Sequence, residues 1–253
     1  MLYICYMDKI FLQFNHSPDD FYGQHVVTPP TNNTYYIGPG THPHYEVFYL
    51  IEGKLDYLIE SEIYTVHPGE MIFVASTEIH TLKIDGNKPF NRAVFLFNFT
   101  ALKALLGNSL TISDTEYFKG ENFLHVIPRD IVKKHSLDKL LFSILQSESL
   151  GKYSYLHAVS KTLEFIIELD KIFMEQKTSL VKTPTIIDPY IKQVVNYINE
   201  HITEPLSLDT IANNLFTSKS TLCHKFSNYM NLSLNRYITI KKVNYARKLI
   251  YDG

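Results

Sequence analysis

Fourteen residues near the carboxyl end, TSKSTLCHKFSNYM from Thr217 to Met230, combine hydroxyls, an imidazole, an amide and two lysines. Side chains of these types on one helical face can bond base edges, and lysines beside them can meet phosphates. From Thr210 through Tyr251 there is no Asp or Glu, yet Lys219, Lys225, Arg236, Lys241, Lys242, Arg247 and Lys248 all fall there. The whole chain carries a formal charge of -2. Residues 188–253 hold eight Lys/Arg against five Asp/Glu, a net of +3, and residues 1–187 hold sixteen against twenty-one, a net of -5. One end attracts polyanions that the rest repels. A second group, His42, His44, Glu46 and His80, offers imidazoles and a carboxylate. In a strand, residues 42, 44 and 46 point the same way.

These side chains must be positioned by the surrounding elements. Up to about residue 100, short runs rich in β-branched and aromatic residues (YEVFYLIEG, KLDYLIESEIYTVHPGE, MIFVAS, NRAVFLFNF) alternate with turn residues at Gly53, Pro68-Gly69, Asp85-Gly86-Asn87 and Pro89. This spacing predicts an antiparallel sandwich or barrel. From Ser136 to Gln176 the apolar residues recur at helical spacing. Leu137, Leu140, Leu141, Ile144 and Leu145 are followed by Leu156, Val159, Leu163, Ile166, Leu169 and Phe173, which predicts two helices broken near Gly151. Lys177 to Pro189 lacks such a stripe and holds two prolines, so it reads as a linker.

Four helical segments are predicted beyond it. The first carries Ile191, Val194, Val195 and Ile198; Ser207, Ser218 and Ser233 are placed as N-caps of the others. In the third, Leu222, Phe226 and Tyr229 share one side, and Ser220, His224 and Ser227 lie opposite, flanked by Thr221, Cys223 and Asn228 with Lys219 and Lys225 towards the margins. A helix and a short turn directly before it complete the order of a helix-turn-helix.

Pro205 to Ile250 resembles the first helix-turn-helix and connecting helix of AraC/XylS-type transcription regulators, through Leu208, Ile211, Ala212, Ser218, Leu222, Phe226, Ser233, Tyr237, Ile238, Ala246 and Leu249. The sequence departs from that pattern at Asn231 for a usual Gly, Leu234 for a usual Pro, and Lys242-Val243 for a usual Arg-Leu. Asn tolerates the left-handed conformation a C-cap needs. The resemblance implies a second helix-turn-helix after the long helix, whereas this sequence ends at Gly253. A single unit is expected to bind DNA weakly, with affinity lower by on the order of three decades or more at physiological salt. Lys219, Ser220, Thr221, His224, Lys225, Asn228 and Lys241 are the expected DNA-binding residues.

The front half resembles a cupin. His42, Glu46 and Gly53 keep the spacing of the latter part of its first motif, and Gly69 and His80 match the second. The earlier His of the first motif falls on Gly40, and the usual Pro and Gly of the second fall on Ala75 and Thr77. A metal-binding cupin would use two His, a carboxylate and a further His as a facial set. His42, His44, Glu46 and His80 supply those elements without keeping that spacing. The AraC-type plan instead implies a barrel that senses a small effector. Its expected contacts are His42, His44, Glu46, Tyr49, His80 and Arg92, with Tyr57 behind them.

The fold expected is α+β and multidomain: an N-terminal antiparallel β-barrel (cupin-like) with flanking helices, then an all-α helix-turn-helix domain. The boundaries expected are 1–130 for the sensor barrel, 131–177 for a helical linker and dimerisation segment, and 188–253 for the DNA-binding domain. Expected partners are promoter DNA through its major groove, a small-molecule effector and a second copy in a homodimer. No catalytic residue, metal or cofactor is assigned. The alternative reading is a metal-dependent cupin enzyme with an accessory helical domain. Two distant cysteines, Cys5 and Cys223, form no disulfide framework, and the start has no signal-peptide pattern, so a cytoplasmic protein without a membrane partner is expected.

Overall fold

The computed structural model describes residues 8–17, 21–76, 78–98, 102, 125–175, 185–186 and 188–252. Strands come first: β1 (Lys9–Ser17), β2 (Phe21–Thr28), β3 (Tyr35–Gly40), β4 (Tyr45–Glu52), β5 (Leu55–Ile59), β6 (Glu62–Val66), β7 (Met71–Val74), β8 (His80–Ile84), β9 (Phe90–Phe97) and β10 (Val126–Ile127). Helices α1 (Arg129–Lys134), α2 (Leu137–Leu145) and α3 (Ser154–Glu175) follow, with a 3₁₀ segment from Gln146 to Tyr153 between the last two. Strand β11 (Thr185–Ile186) leads to α4 (Pro189–Glu200), α5 (Leu208–Asn214), α6 (Lys219–Met230) and α7 (Leu234–Asp252). Most of the expected linker lies outside the described residues, but Thr185 and Ile186 pair with Ile63 and Glu62 of β6. Cys5 and the side chain of Lys248 also lie outside them.

Two antiparallel sheets face each other. One runs β1-β2-β9-β4-β7-β10 and the other β11-β6-β5-β8-β3. Their facing sides enclose Phe48, Leu50, Leu55, Tyr57, Val66, Ile72, Leu82, Phe90 and Val94. The first sheet buries its other side too. Val47, Tyr49, Phe73, Ala93, Phe95 and Phe97 pack with Leu137, Leu141, Ile144, Phe165 and Ile166 of α2 and α3. Alternate residues of β4 and β9 thus enter different cores, which is why these strands read as unbroken apolar runs. Gly53, at φ 114°, makes the turn from β4 to β5, a conformation that disfavours side chains. Leu156, which begins the apolar stripe of α3, is 68% exposed; Ala158, Phe165 and Ile172 pack into the core with Val159, Ile166 and Leu169.

The third core joins α4 to α7 and also takes in Leu58 and Ile79 from the second sheet. The helical domain is therefore packed against the barrel. Among the described residues, no helix is long and apolar enough to cross a membrane.

Candidate functional site

Helix α6 is held by its apolar side. Leu222, Phe226 and Met230 are buried, and Phe226 meets Tyr237 of α7 edge-on at 5.1 Å between ring centres. Truncating such a ring costs about 3–5 kcal/mol, so the helix has one way to sit. Its start is fixed by Ser218, whose hydroxyl accepts from the Thr221 amide at 3.1 Å. Its end is Asn231 in the left-handed region at φ 50°. The opposite face presents Lys219, Ser220, Thr221, His224, Lys225 and Asn228, all exposed. Two of the lysines have neighbours there: Lys219 pairs with Asp209 at 3.0 Å, and the Lys225 ammonium lies 4.9 Å from the centre of the Tyr190 ring. Asp209 lies just upstream of the acid-free run.

Lys241, expected beside that face, is engaged by the barrel. Its ammonium donates to Glu60 Oε1 at 3.1 Å, and the pair is only 19% and 18% exposed. The hydroxyl of Tyr237 donates to the other oxygen of Glu60. Burial, reinforced by the charge on Glu60, holds that phenol well above its ordinary pKa. Glu60 Oε1 also accepts from the Ile79 amide at 3.1 Å. Two further contacts cross the boundary: Lys192 to Glu62 at 3.1 Å and the Asn244 amide to the Thr41 hydroxyl at 3.1 Å.

A small pocket opens between the sheets, lined by Gln24, Ile37, Gly38, Glu46, Phe48, His80, Leu82, Arg92 and Val94. Glu46 is its focus. Tyr57 donates to Oε1 at 2.6 Å, and His42 Nε2 and His80 Nε2 lie 3.0 and 3.6 Å from Oε2. Burial alone would raise this carboxyl, but the hydrogen bond to His42, the charges of His80 and His42, and the Tyr57 hydroxyl hold it down to about 2. Burial lowers the pKa of His80. Gly38, at φ +102°, passes so close to β8 that a Cβ there would stand 2.8 Å from the His80 carbonyl oxygen.

Several expected contacts are placed differently. His44 lies before β4 starts; its carbonyl accepts from His42, and its ring centre lies 6.0 Å from that of His42. Tyr49 points to the core beneath the helices, away from the pocket, because it has the opposite parity to Glu46 and Phe48. Arg92 does line the pocket, but it is buried and engaged by Asp8 at 3.1 Å and Thr28 at 2.9 Å, with its guanidinium 4.6 Å from the centre of Phe90. Gln24, Ile37, Phe48, Leu82 and Val94 were not foreseen. The donors of His42, Glu46 and His80 all lie within 4.8 Å of one another. The four-donor set of a metal-dependent cupin enzyme would also need the ring of His44.

Comparison with known proteins accounts for both halves. Residues 22–157, more than half the chain, match the AraC-like ligand binding domain. The chain belongs to the AraC family. Residues 198–239 of this AraC-family protein match the bacterial regulatory helix-turn-helix of the same family, spanning α5 and α6. It is similar to the regulatory protein PocR of Salmonella typhimurium, 22% identical over 107 residues that make up 42% of this chain and 35% of that one. It is also similar to the uncharacterised helix-turn-helix regulator YdiP of Escherichia coli, 21% identical over 207 residues, or 80% of this chain and 64% of that one. The chain thus spans less than two thirds of either relative. Among solved structures it is similar to ToxT of Vibrio cholerae bound to an unsaturated fatty acid, at 12% identity and a TM-score of 0.41, covering 95% of this chain and 84% of that one.

Proposed function

We propose that this protein is a sequence-specific transcription regulator whose helix α6 reads a promoter major groove and whose barrel pocket senses a small effector. The observation that carries the reading is the two-sided build of α6: one face locked into a core, the other presenting Ser220, Thr221, His224 and Asn228 with lysines at its edges. Small polar side chains permit close approach to base edges, and the lysines supply backbone contacts.

Pocket and DNA-binding domain are joined by short links. His42 follows Thr41, which accepts from Asn244 of α7. His80 follows Ile79, whose amide donates to Glu60, the residue that holds Tyr237 and Lys241. An effector that shifts His42 or His80 therefore acts one residue away from each contact. The mechanism is a population shift between docked and released helical domains. A docking preference of about 3 kcal/mol is balanced by an effector binding the released form about 160-fold more tightly, and reversed by one of still larger preference. Dimerisation through α3, where Leu156 and Ile167 are exposed three turns apart, would present two reading helices to paired half-sites.

A thermal-shift screen of the purified chain against sugars, fatty acids and other small metabolites tests the sensor. A stabilising compound that loses its effect in Glu46→Gln supports the reading. Stabilisation that survives both Glu46→Gln and Leu82→Ala would place the effector elsewhere.

A further inference from the structure

Arg92 brings a full positive charge into the pocket wall while only 3% exposed. A guanidinium buried without an anion is costly, and the chain supplies one. Nη2 donates to Asp8 Oδ2 at 3.1 Å, Nη1 donates to the Thr28 hydroxyl at 2.9 Å, and that hydroxyl donates to Asp8 Oδ1. The face of the Phe90 ring stands 4.6 Å from the guanidinium carbon. Both oxygens of one planar carboxylate are therefore held, one by a cation and one by a hydroxyl. Such a cradle selects the carboxylate group, whatever carries it.

The cradle and its occupant differ in how firmly they are built in. Thr28 belongs to β2 and Arg92 and Phe90 to β9, and both strands are paired on either side. Asp8 directly precedes β1, the edge strand of that sheet, whose register with β2 shifts between Ile10 and Leu12. Local opening at such an end removes the acid and leaves the cradle in place. Asp8 then competes with a free carboxylate at an effective concentration on the order of millimolar. Beyond Arg92 the pocket walls are Ile37, Phe48, Leu82 and Val94. A carboxylate with a short apolar body buries surface against them that the side chain of Asp8 does not.

We propose that Arg92 and Thr28 form a carboxylate-recognition site at one end of the pocket, that Asp8 fills it as an internal stand-in, and that the effector is a small monocarboxylic acid with an apolar body that takes Asp8's place. The proposal names the ligand class of the sensor pocket, and its regulatory meaning rests on that reading; the binding itself does not.

The test uses sodium hexanoate as probe, with hexanamide, sodium chloride and sodium sulfate for comparison at matched ionic strength, read by calorimetry and thermal melts of the full chain. Hexanoate is expected to bind Asp8→Asn at least about 10-fold more tightly than wild type, because the competing charge is gone while a side chain of the same size remains. Hexanamide, which lacks the charge, should bind that variant at least about 10-fold more weakly than hexanoate. Hexanoate should also restore part of the Tm lost in Asp8→Ala, and Asp8→Ala/Arg92→Met, which removes the buried pair together, should not respond to it. No binding to folded Asp8→Asn, equal affinity in Asp8→Asn and wild type, an undiminished response in Asp8→Ala/Arg92→Met, or sulfate matching hexanoate overturns the proposal. DNA titrations on the same samples keep the two readings apart. Hexanoate binding that leaves DNA binding unchanged would keep the carboxylate site and sink its sensing role. A metabolite without a carboxylate that acts through Glu46 and Leu82 would keep the sensor and sink the effector class proposed.

Discussion

Glu60 accepts from two residues of α7, Tyr237 and Lys241, and its removal has a calculable cost. Tyr237 is fully buried and gives its hydroxyl to Glu60. A hydrogen bond to a charged acceptor contributes about 1.5–3 kcal/mol. The Glu60–Lys241 pair, 18% and 19% exposed, lies between an open ion pair at under about 1 kcal/mol and a fully buried one whose breakage costs about 3–5 kcal/mol. An intermediate value of about 1.5 kcal/mol brings the loss of these two contacts in Glu60→Ala to about 3–4.5 kcal/mol, or a shift of about two to three decades from docked to released, with the Ile79 amide bond lost besides. Glu62 and Lys192 make the same type of ion pair but are 28% and 37% exposed, so their pairing is expected to contribute at most about 1 kcal/mol, apart from the hydrogen bond that Glu62 also accepts from Tyr64. Double-mutant cycles in urea separate these values. Glu60→Ala with Tyr237→Phe should show coupling of about 1.5–3 kcal/mol, and Glu62→Ala with Lys192→Ala less than about 1. Coupling below about 0.5 kcal/mol for Glu60 and Tyr237 would mean that the two are mere neighbours, and the latch would have to be abandoned.

Other outcomes follow from the same geometry. Lys241→Ala should leave the salt dependence of DNA binding unchanged in the wild-type background, where Glu60 holds the ammonium, and lower its slope by about 0.9 in Glu60→Ala. Ser218→Ala removes the N-cap of α6 and should cost about 1 kcal/mol, seen as a drop of several degrees in Tm, with Ser218→Gly costing less. Asp8→Ala leaves the Arg92 guanidinium buried beside Thr28 without its carboxylate and should cost about 3 kcal/mol in urea unfolding, which Arg92→Met in the same chain should largely recover. Gly38→Ala should lower Tm by more than the cap change, because strain at φ +102° adds to a 2.8 Å contact with His80.

Local chemistry made much of this legible before any coordinates. Ser207, Ser218 and Ser233 each accept from the amide three residues on, and Asn231 takes the left-handed conformation a helix end requires. The polar face of α6 followed from spacing alone, because its apolar positions repeat at the helical period. What escaped was set by distance in sequence or by double burial. β4 is apolar on alternate and intervening positions alike, so nothing in YEVFYLIE says that Glu46 and Phe48 face the pocket while Tyr49 faces helices. The partners of Arg92 and Lys241 are 84 and 181 residues away, and a formal charge count cannot see such pairing. His44 precedes β4, so the strand geometry that would align it with Glu46 does not extend to it.

The most direct measurement is fluorescence anisotropy of the chain on promoter-derived and scrambled duplexes at fixed salt, comparing wild type with Ser220→Ala/His224→Ala. The account predicts that the wild type discriminates among sequences and that the double variant loses about 1–3 kcal/mol of that discrimination for each base contact removed, with non-specific binding retained. A double variant that keeps the wild-type sequence preference would show that α6 does not read bases.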